Sequence, residues 1–372
     1  MKIGINSLYL IPGEVGGSER YLRELLQAMV ALDAGHEFVV FTNNENDPVF
    51  RAEYSQHRNV STVRIPCNAS NRYSRVLREQ FQAPAYVKRA GVDVLWSAGQ
   101  VAVLRAGCPQ ALTIFDMQYK HYPEDFSAIA RWTTDFLLHR SIAVCDRVLT
   151  ISSFSRDEIL KFTRARPEQV SSVLLAADQR YGVSASSGSS DTPYILTVAN
   201  SYPHKNLHRL VEGYARICDS IPHDLVIVGK ARRGEYQVEE VVRALQEPAR
   251  VKRVSGLSDD ALVGMYQGAD VFCFPSLYEG FGLPVLESIH ARVPVVVSDA
   301  GSLPEIGGEH VVCVDPLSPE SIGSGLKQVL GWSEGERHER IEAAAEWAEA
   351  FTWERAARET LALLQDLVKE TR

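Results

Sequence analysis

Two glutamates, Glu279 and Glu287, stand with seven residues between them around the segment Gly280-Phe281-Gly282-Leu283-Pro284. Carboxylates accept hydrogen bonds from hydroxyl-rich ligands such as sugars, and backbone N–H groups at a helix start suit phosphate or sugar oxygens. The segment follows the apolar run Val271–Phe274, so it reads as a loop leading from a buried strand into a helix. Pro284 is expected at the first helical position, where a missing N–H costs nothing. Glu287 then falls in the first turn and Glu279 before the loop. Each glutamate alone has a structural explanation, as a dipole partner or a surface residue. Two carboxylates bracketing a glycine-rich helix start form the most specific pattern in the chain.

Other strand-to-helix loops carry weaker versions of this chemistry. Gly16-Gly17 lie between the first strand and first helix, with Ser18 expected as N-cap, and suit the approach of an anion. Lys205, in Asn200-Ser201-Tyr202-Pro203-His204-Lys205-Asn206, could neutralise a diphosphate, although a lone lysine is usually a solvated one. Asp116 closes the apolar run Ala111–Phe115, where it could meet a ligand or cap its own turn. Glu305, in Ser302-Leu303-Pro304-Glu305, reads as a first-turn dipole partner. The sequence has no GxSxG nucleophile elbow, Walker A loop, HExxH or DxD motif, so neither a serine nucleophile nor a metal-chelated diphosphate is suggested.

The elements that must position these residues alternate. Strands are expected at Lys2–Asn6, Phe38–Thr42, Val60–Ile65, Val92–Ser97, Ala111–Phe115, Arg147–Ile151 and Ser172–Leu175. After Ser184–Asp191, which has almost nothing to bury, they resume at Tyr194–Val198, Leu225–Val228, Val251–Val254, Val271–Phe274, Val293–Val297 and Val311–Val314. Strands separated by segments of helical period imply parallel sheets with right-handed crossovers, hence an α/β fold of two doubly wound Rossmann-like domains. The expected division is 1–183, a linker at 184–192, and 193–354. A last helix near Glu354–Lys369, with Ala357, Leu361, Leu364 and Val368 on one face, is expected to pack back on the first domain.

Composition agrees with this reading. A chain of 372 residues with 45% apolar and 23% charged residues has the length of about two soluble domains. The net charge of −8 argues against bulk nucleic-acid binding, and it is unevenly shared. Residues 1–180 sum to +2 and the remainder to −10. The six cysteines form no CxxC pair, and no apolar run spans a membrane, so a cytoplasmic setting is expected. Arg72, Arg75 and Arg78, with Lys88 and Arg89 beyond, read as a solvated basic helix face that could also meet anionic headgroups.

Taken in order along the chain, these pieces resemble the retaining glycosyltransferase family 4, mannosyltransferase-like branch, which has the GT-B fold. Gly16-Gly17, Ile151-Ser152-Ser153-Phe154-Ser155, Lys205-Asn206, Glu279 to Glu287, and Phe351-Thr352-Trp353-Glu354 carry the resemblance. It implies two domains facing a cleft, with the final helix crossing back. It also implies transfer of a sugar from GDP-mannose or a UDP-sugar to a saccharide or lipid-linked acceptor, with no cofactor or metal, by front-face attack. Glu287 would bind the nucleotide ribose, and Glu279 with the backbone of Gly280, Phe281, Gly282 and Leu283 would hold the donor sugar. Asn200 and Lys205 would face the diphosphate, helped by Gly16 and Gly17, and Asp116 would orient the acceptor. Asp116, Lys205 and Glu279 are thus the catalytic candidates. Two positions depart from the family pattern: Phe115 replaces a common His before Asp116, with His121 nearby, and Asn200 replaces a common Arg, with Arg209 and Lys230 nearby. A GT-B nucleotide-sugar epimerase and a catalytically weak nucleotide-sugar-binding protein are the alternatives. The expected setting is cytoplasmic, with room for a peripheral contact at the inner face of the membrane.

Overall fold

A computed structural model describes residues 1–14, 16–32, 35–182 and 192–371. The expected linker, apart from Thr192, lies outside the described residues. The chain divides into two compact units, Met1–Leu175 with Thr352–Arg372, and Ala176–Phe351.

The first unit is built on seven parallel strands: β1 Lys2–Asn6, β2 Glu37–Thr42, β3 Val60–Arg64, β4 Val94–Ser97, β5 Gln110–Thr113, β6 Arg147–Thr150 and β7 Val170–Ser172. Their order is β3-β2-β1-β4-β5-β6-β7. Its helices are α1 Gly17–Ala31, α2 Asp47–Glu53, α3 Arg72–Phe81, α4 Ala83–Ala90, α5 Gln118–His121, α6 Ala128–Val144 and α7 Ser153–Phe162. Strands β4 and β5 are buried throughout, as expected where helices cover both faces of a parallel sheet. On α1 the buried side chains are Tyr21, Leu22, Leu25, Leu26, Met29 and Val30, pairs four residues apart that make one face of the helix. Ser152 starts α7 by accepting from Ser155 N at 3.0 Å, so this serine pair is at least a helix cap.

The second unit repeats the plan with six parallel strands: β8 Tyr194–Val198, β9 Asp224–Val228, β10 Val251–Val254, β11 Val271–Phe274, β12 Val295–Ser298 and β13 Val312–Val314. Their order is β10-β9-β8-β11-β12-β13. The helices are α8 Leu207–Ala215, α9 Glu235–Arg243, α10 Asp259–Gln267, α11 Leu283–His290, α12 Leu303–Gly307, α13 Pro319–Leu330 and α14 Glu334–Ala348. The chain ends in α15, Trp353–Thr371, which packs on α1 in the first unit. Its buried residues are Ala356, Ala357, Thr360, Leu361, Leu364 and Leu367, with Leu367 taking the place expected of the half-buried Val368. Among the described residues, no helix is long and apolar enough to cross a membrane.

Candidate active site

Strand order decides which loops can meet. In the second unit β8 and β11 are hydrogen-bonded neighbours, and the chain leaves them in opposite directions, towards β9 and β12. Such a switch point opens a crevice at the carboxyl ends of the strands, and the Lys205 and Glu279 loops both leave from it.

Lys205 Nζ donates to Glu279 Oε1 at 2.5 Å, and Ser276 Oγ donates to the same oxygen at 2.5 Å. The ammonium also lies 5.2 Å from the Phe274 ring centroid. Two residues 74 apart in sequence thus form one partly buried ion pair. Asn206 holds the β8 loop in place. It adopts a left-handed conformation and donates through Nδ2 to the carbonyls of Pro275 at 3.0 Å and Pro316 at 2.7 Å. Next to Lys205, His204 is buried and stacked on Tyr202, and Leu277 N donates to its carbonyl at 2.7 Å. Burial, with the Lys205 charge adding to it, pushes the His204 imidazole down to about 4.

The start of α11 differs by one residue from the sequence expectation. Gly282 is the N-cap at φ 106°, Leu283 is the first helical residue and Pro284 the second. Proline is tolerated there because the first amides of a helix lack intrahelical acceptors anyway. Glu287 therefore lies in the second turn, not the first. It is buried and accepts from Tyr266 OH at 2.8 Å, so a residue of α10 fixes the carboxylate. Ser302 pins the loop by donating through Oγ to the carbonyls of Glu279 at 3.0 Å and Phe281 at 2.7 Å. The Phe281 side chain is buried and meets Phe351 edge-on at 6.4 Å, so only its backbone is available to a ligand. A Cβ on Gly282 would stand 2.6 Å from Leu303 Cδ2, so this position admits no other residue without movement.

Asn200 is exposed, and its Oδ1 accepts from Lys230 N at 2.8 Å, tying the β8 loop to the β9 loop. Arg209 donates to Asn206 Oδ1 at 2.9 Å, which gives it a structural task. Glu305 is in the first turn of α12, as expected. Sequence reasoning missed Ser276, Tyr266 and Ser302. Ser302 lay inside a motif inspected for Glu305, and the other two carried no local signal.

The first unit contains a separate set. Gly16, at φ 58°, is the N-cap of α1 in place of Ser18, and a Cβ on Gly16 or Gly17 would meet nothing within 4 Å. Glu19 reaches back to accept from Gly13 N at 2.7 Å, which closes the loop. Asp116 lies three residues beyond β5, since that strand ends at Thr113. Its Oδ1 accepts from Gln118 N at 2.9 Å, the turn-capping role, while the residue also lines a cavity of about 380 Å³. Ser18, Arg72, Arg75, Gln100 and Phe115 line the same cavity. Phe115 packs edge-on against Tyr21 at 5.1 Å. His121 is exposed, paired with Glu158 and edge-on to Phe162, and does not belong to that lining.

With this geometry in view, comparison with known proteins is informative. Residues 15–174 match the family model Glycosyltransferase Family 4, and residues 184–347 match Glycosyl transferases group 1. The O-antigen chain mannosyltransferase RfbU of Salmonella typhimurium is 28% identical over 220 residues, 59% of this chain and 60% of that protein. The GDP-mannose-dependent alpha-(1-6)-phosphatidylinositol dimannoside mannosyltransferase of Mycobacterium tuberculosis is 30% identical over 257 residues, 64% of this chain and 62% of that one. The chain thus spans about three-fifths of the length of these two curated relatives. Among solved structures, HepE of Anabaena in complex with UDP and glucose superposes with a TM-score of 0.74 at 18% identity, over 98% of this chain and 100% of that one. That likeness places the architecture in the GT-B fold.

Proposed function

This chain belongs to the family 4 glycosyltransferases, and from that premise we propose that it is a retaining hexosyltransferase using GDP-mannose. Its acceptor is a hydroxyl of a saccharide or a lipid-linked saccharide. The observation that carries the reading is the Lys205–Glu279 pair beside the glycine start of α11 at the β8–β11 switch point. A cation and a helix N-terminus suit the two ends of a diphosphate, while Glu279 and Glu287 suit the hydroxyls of the sugar and the ribose. The choice of GDP-mannose follows the two mannosyltransferase relatives, one of them GDP-mannose-dependent by name.

In the reaction proposed, the bond between the sugar anomeric carbon and the diphosphate oxygen breaks. The acceptor oxygen bonds to that carbon on the same face, so the configuration is retained. The acceptor proton passes to the departing phosphate oxygen. Lys205 and the amides at the start of α11 stabilise the negative charge that develops on the diphosphate, a contribution that grows towards the transition state. Displacing Glu279 from Lys205 frees the carboxylate for sugar hydroxyls. Asn200 flanks the diphosphate, and Asp116, in the first unit, orients the acceptor.

The test is incubation with GDP-mannose and candidate saccharide or lipid-linked acceptors. Mass spectrometry should find an acceptor one hexose heavier, and NMR should find the donor's anomeric configuration. Interconversion of the nucleotide sugar without an acceptor would establish the epimerase reading. Donor binding with neither transfer nor hydrolysis would establish the binding-only one. A thermal-shift screen across GDP- and UDP-sugars decides the donor, because a ligand that binds the folded state raises its stability.

A further inference from the structure

Helix α3 is turned against the usual pattern of a surface helix. Its buried residues are the charged pair Arg75 and Glu79, 3.7 Å apart, and Glu79 Oε1 accepts from the buried Asn6 Nδ2 at 2.6 Å. The apolar residues Tyr73, Leu77 and Phe81, at i, i+4 and i+8, face outwards. Helix α6 carries a second stripe, Ile129, Trp132 and Phe136. These six side chains are between 51% and 79% exposed and are the majority of the large exposed apolar residues of the described chain. Trp132 and Phe136 stack at 5.7 Å within that stripe. Arg72 Nη2 donates to Thr134 Oγ1 at 2.7 Å, which holds the two helices side by side.

The charge around these stripes is opposite to that of the chain. The stretches 71–90 and 127–144 hold seven Lys or Arg against two carboxylates, in a protein of net charge −8. Both carboxylates are engaged: Glu79 is buried, and Asp135 pairs with Lys120 and Tyr119. Arg72, Lys88, Arg89, Arg131 and Arg140 are exposed. Aromatic and aliphatic side chains among basic ones are what a bilayer interface of anionic lipids selects. The basic face expected from Arg72, Arg75 and Arg78 is therefore corrected: Arg75 points inward, and the outward stripe is apolar with basic residues around it.

We propose that the α3–α6 face is a peripheral docking surface for an anionic lipid bilayer. Tyr73, Leu77, Phe81, Ile129, Trp132 and Phe136 enter the interface, and the surrounding Lys and Arg meet the headgroups. The same two helices line the 380 Å³ cavity that holds Asp116, through Arg72 and Arg75 of α3 and Thr134, Leu137 and Leu138 of α6. This continuity favours a lipid surface over a protein partner, because it would present a membrane-borne acceptor to that cavity. The docking does not depend on the identity of the donor.

Sedimentation of the full chain with vesicles tests the proposal. Binding is expected to phosphatidylglycerol-rich vesicles and not to pure phosphatidylcholine, and it should weaken with salt. Phe81→Ser with Trp132→Ser should lower the bound fraction at least about tenfold. Lys88→Glu with Arg89→Glu should lower partitioning about fivefold or more for each basic charge removed. Because these side chains are exposed, unchanged circular-dichroism melts serve as the folding control. Transfer to a water-soluble acceptor should persist in the variants, which separates this proposal from the catalytic one. Absence of wild-type binding to anionic vesicles, or equal binding by the variants, overturns it. So does a dimer seen by ultracentrifugation that the Phe81/Trp132 variant abolishes while no vesicle binding occurs.

Discussion

Lys205 and Glu279 neutralise each other at 2.5 Å, and a diphosphate would compete with the carboxylate for the same ammonium. Lys205→Ala is expected to lower the transfer rate by roughly 10²–10³, the usual loss when one donor to a developing charge is removed. Steady-state kinetics on folded protein would show it, and unchanged kcat would remove Lys205 from the machinery. His204, one residue earlier, gives the site a pH dependence of stability. Its folded value of about 4 lies below its ordinary 6.5, so the unfolded chain takes up the proton first as pH falls. Stability is therefore full above about 6.5 and declines towards about 4, by up to about 3 kcal/mol for this group. Denaturant midpoints across that window should fall in the wild type and stay flatter in His204→Leu. An equal fall in both would place the effect elsewhere.

At the scale of elements, the start of α11 matters most, because one glycine sets where the helix begins. Gly282 has φ 106° and lies against Leu303 of α12, while Ser302 fastens the carbonyls before it. Gly282→Ala is expected to destabilise the protein by about 2 kcal/mol or more, from backbone strain and the clash together. It should weaken donor binding as well, since the loop amides move. Urea unfolding with a nucleotide titration would measure both, and an unperturbed variant would contradict the geometry. The helix and its flanking glycines were legible in the sequence. Its register was not, because a proline fits either of the first two helical positions and only the cap distinguishes them.

For the whole molecule, the two units make different stability claims. Helix α15 belongs to the first unit although it follows the second in sequence, and its Leu361 and Leu364 are buried. Leu364→Ala is expected to cost about 2–5 kcal/mol. Calorimetry should show the loss in the transition of the first unit, with nucleotide-induced stabilisation of the second retained. A single unchanged transition would argue against it. The thirteen strands of the described residues, their alternation with helices and the glutamate-bracketed loop were all readable from the chain alone, because period, spacing and turn chemistry are one-dimensional properties. The net charge of −8 was equally readable, yet it concealed the basic apolar face of α3 and α6. Only the tertiary structure decided that Arg75 turns inward while Leu77 and Phe81 turn outward, since a helix has no inside until something packs against it. It alone brought Ser276 and Lys205 to Glu279, Tyr266 to Glu287 and Ser302 to the loop, because those partners come from neighbouring strands and helices whose order no local spacing encodes.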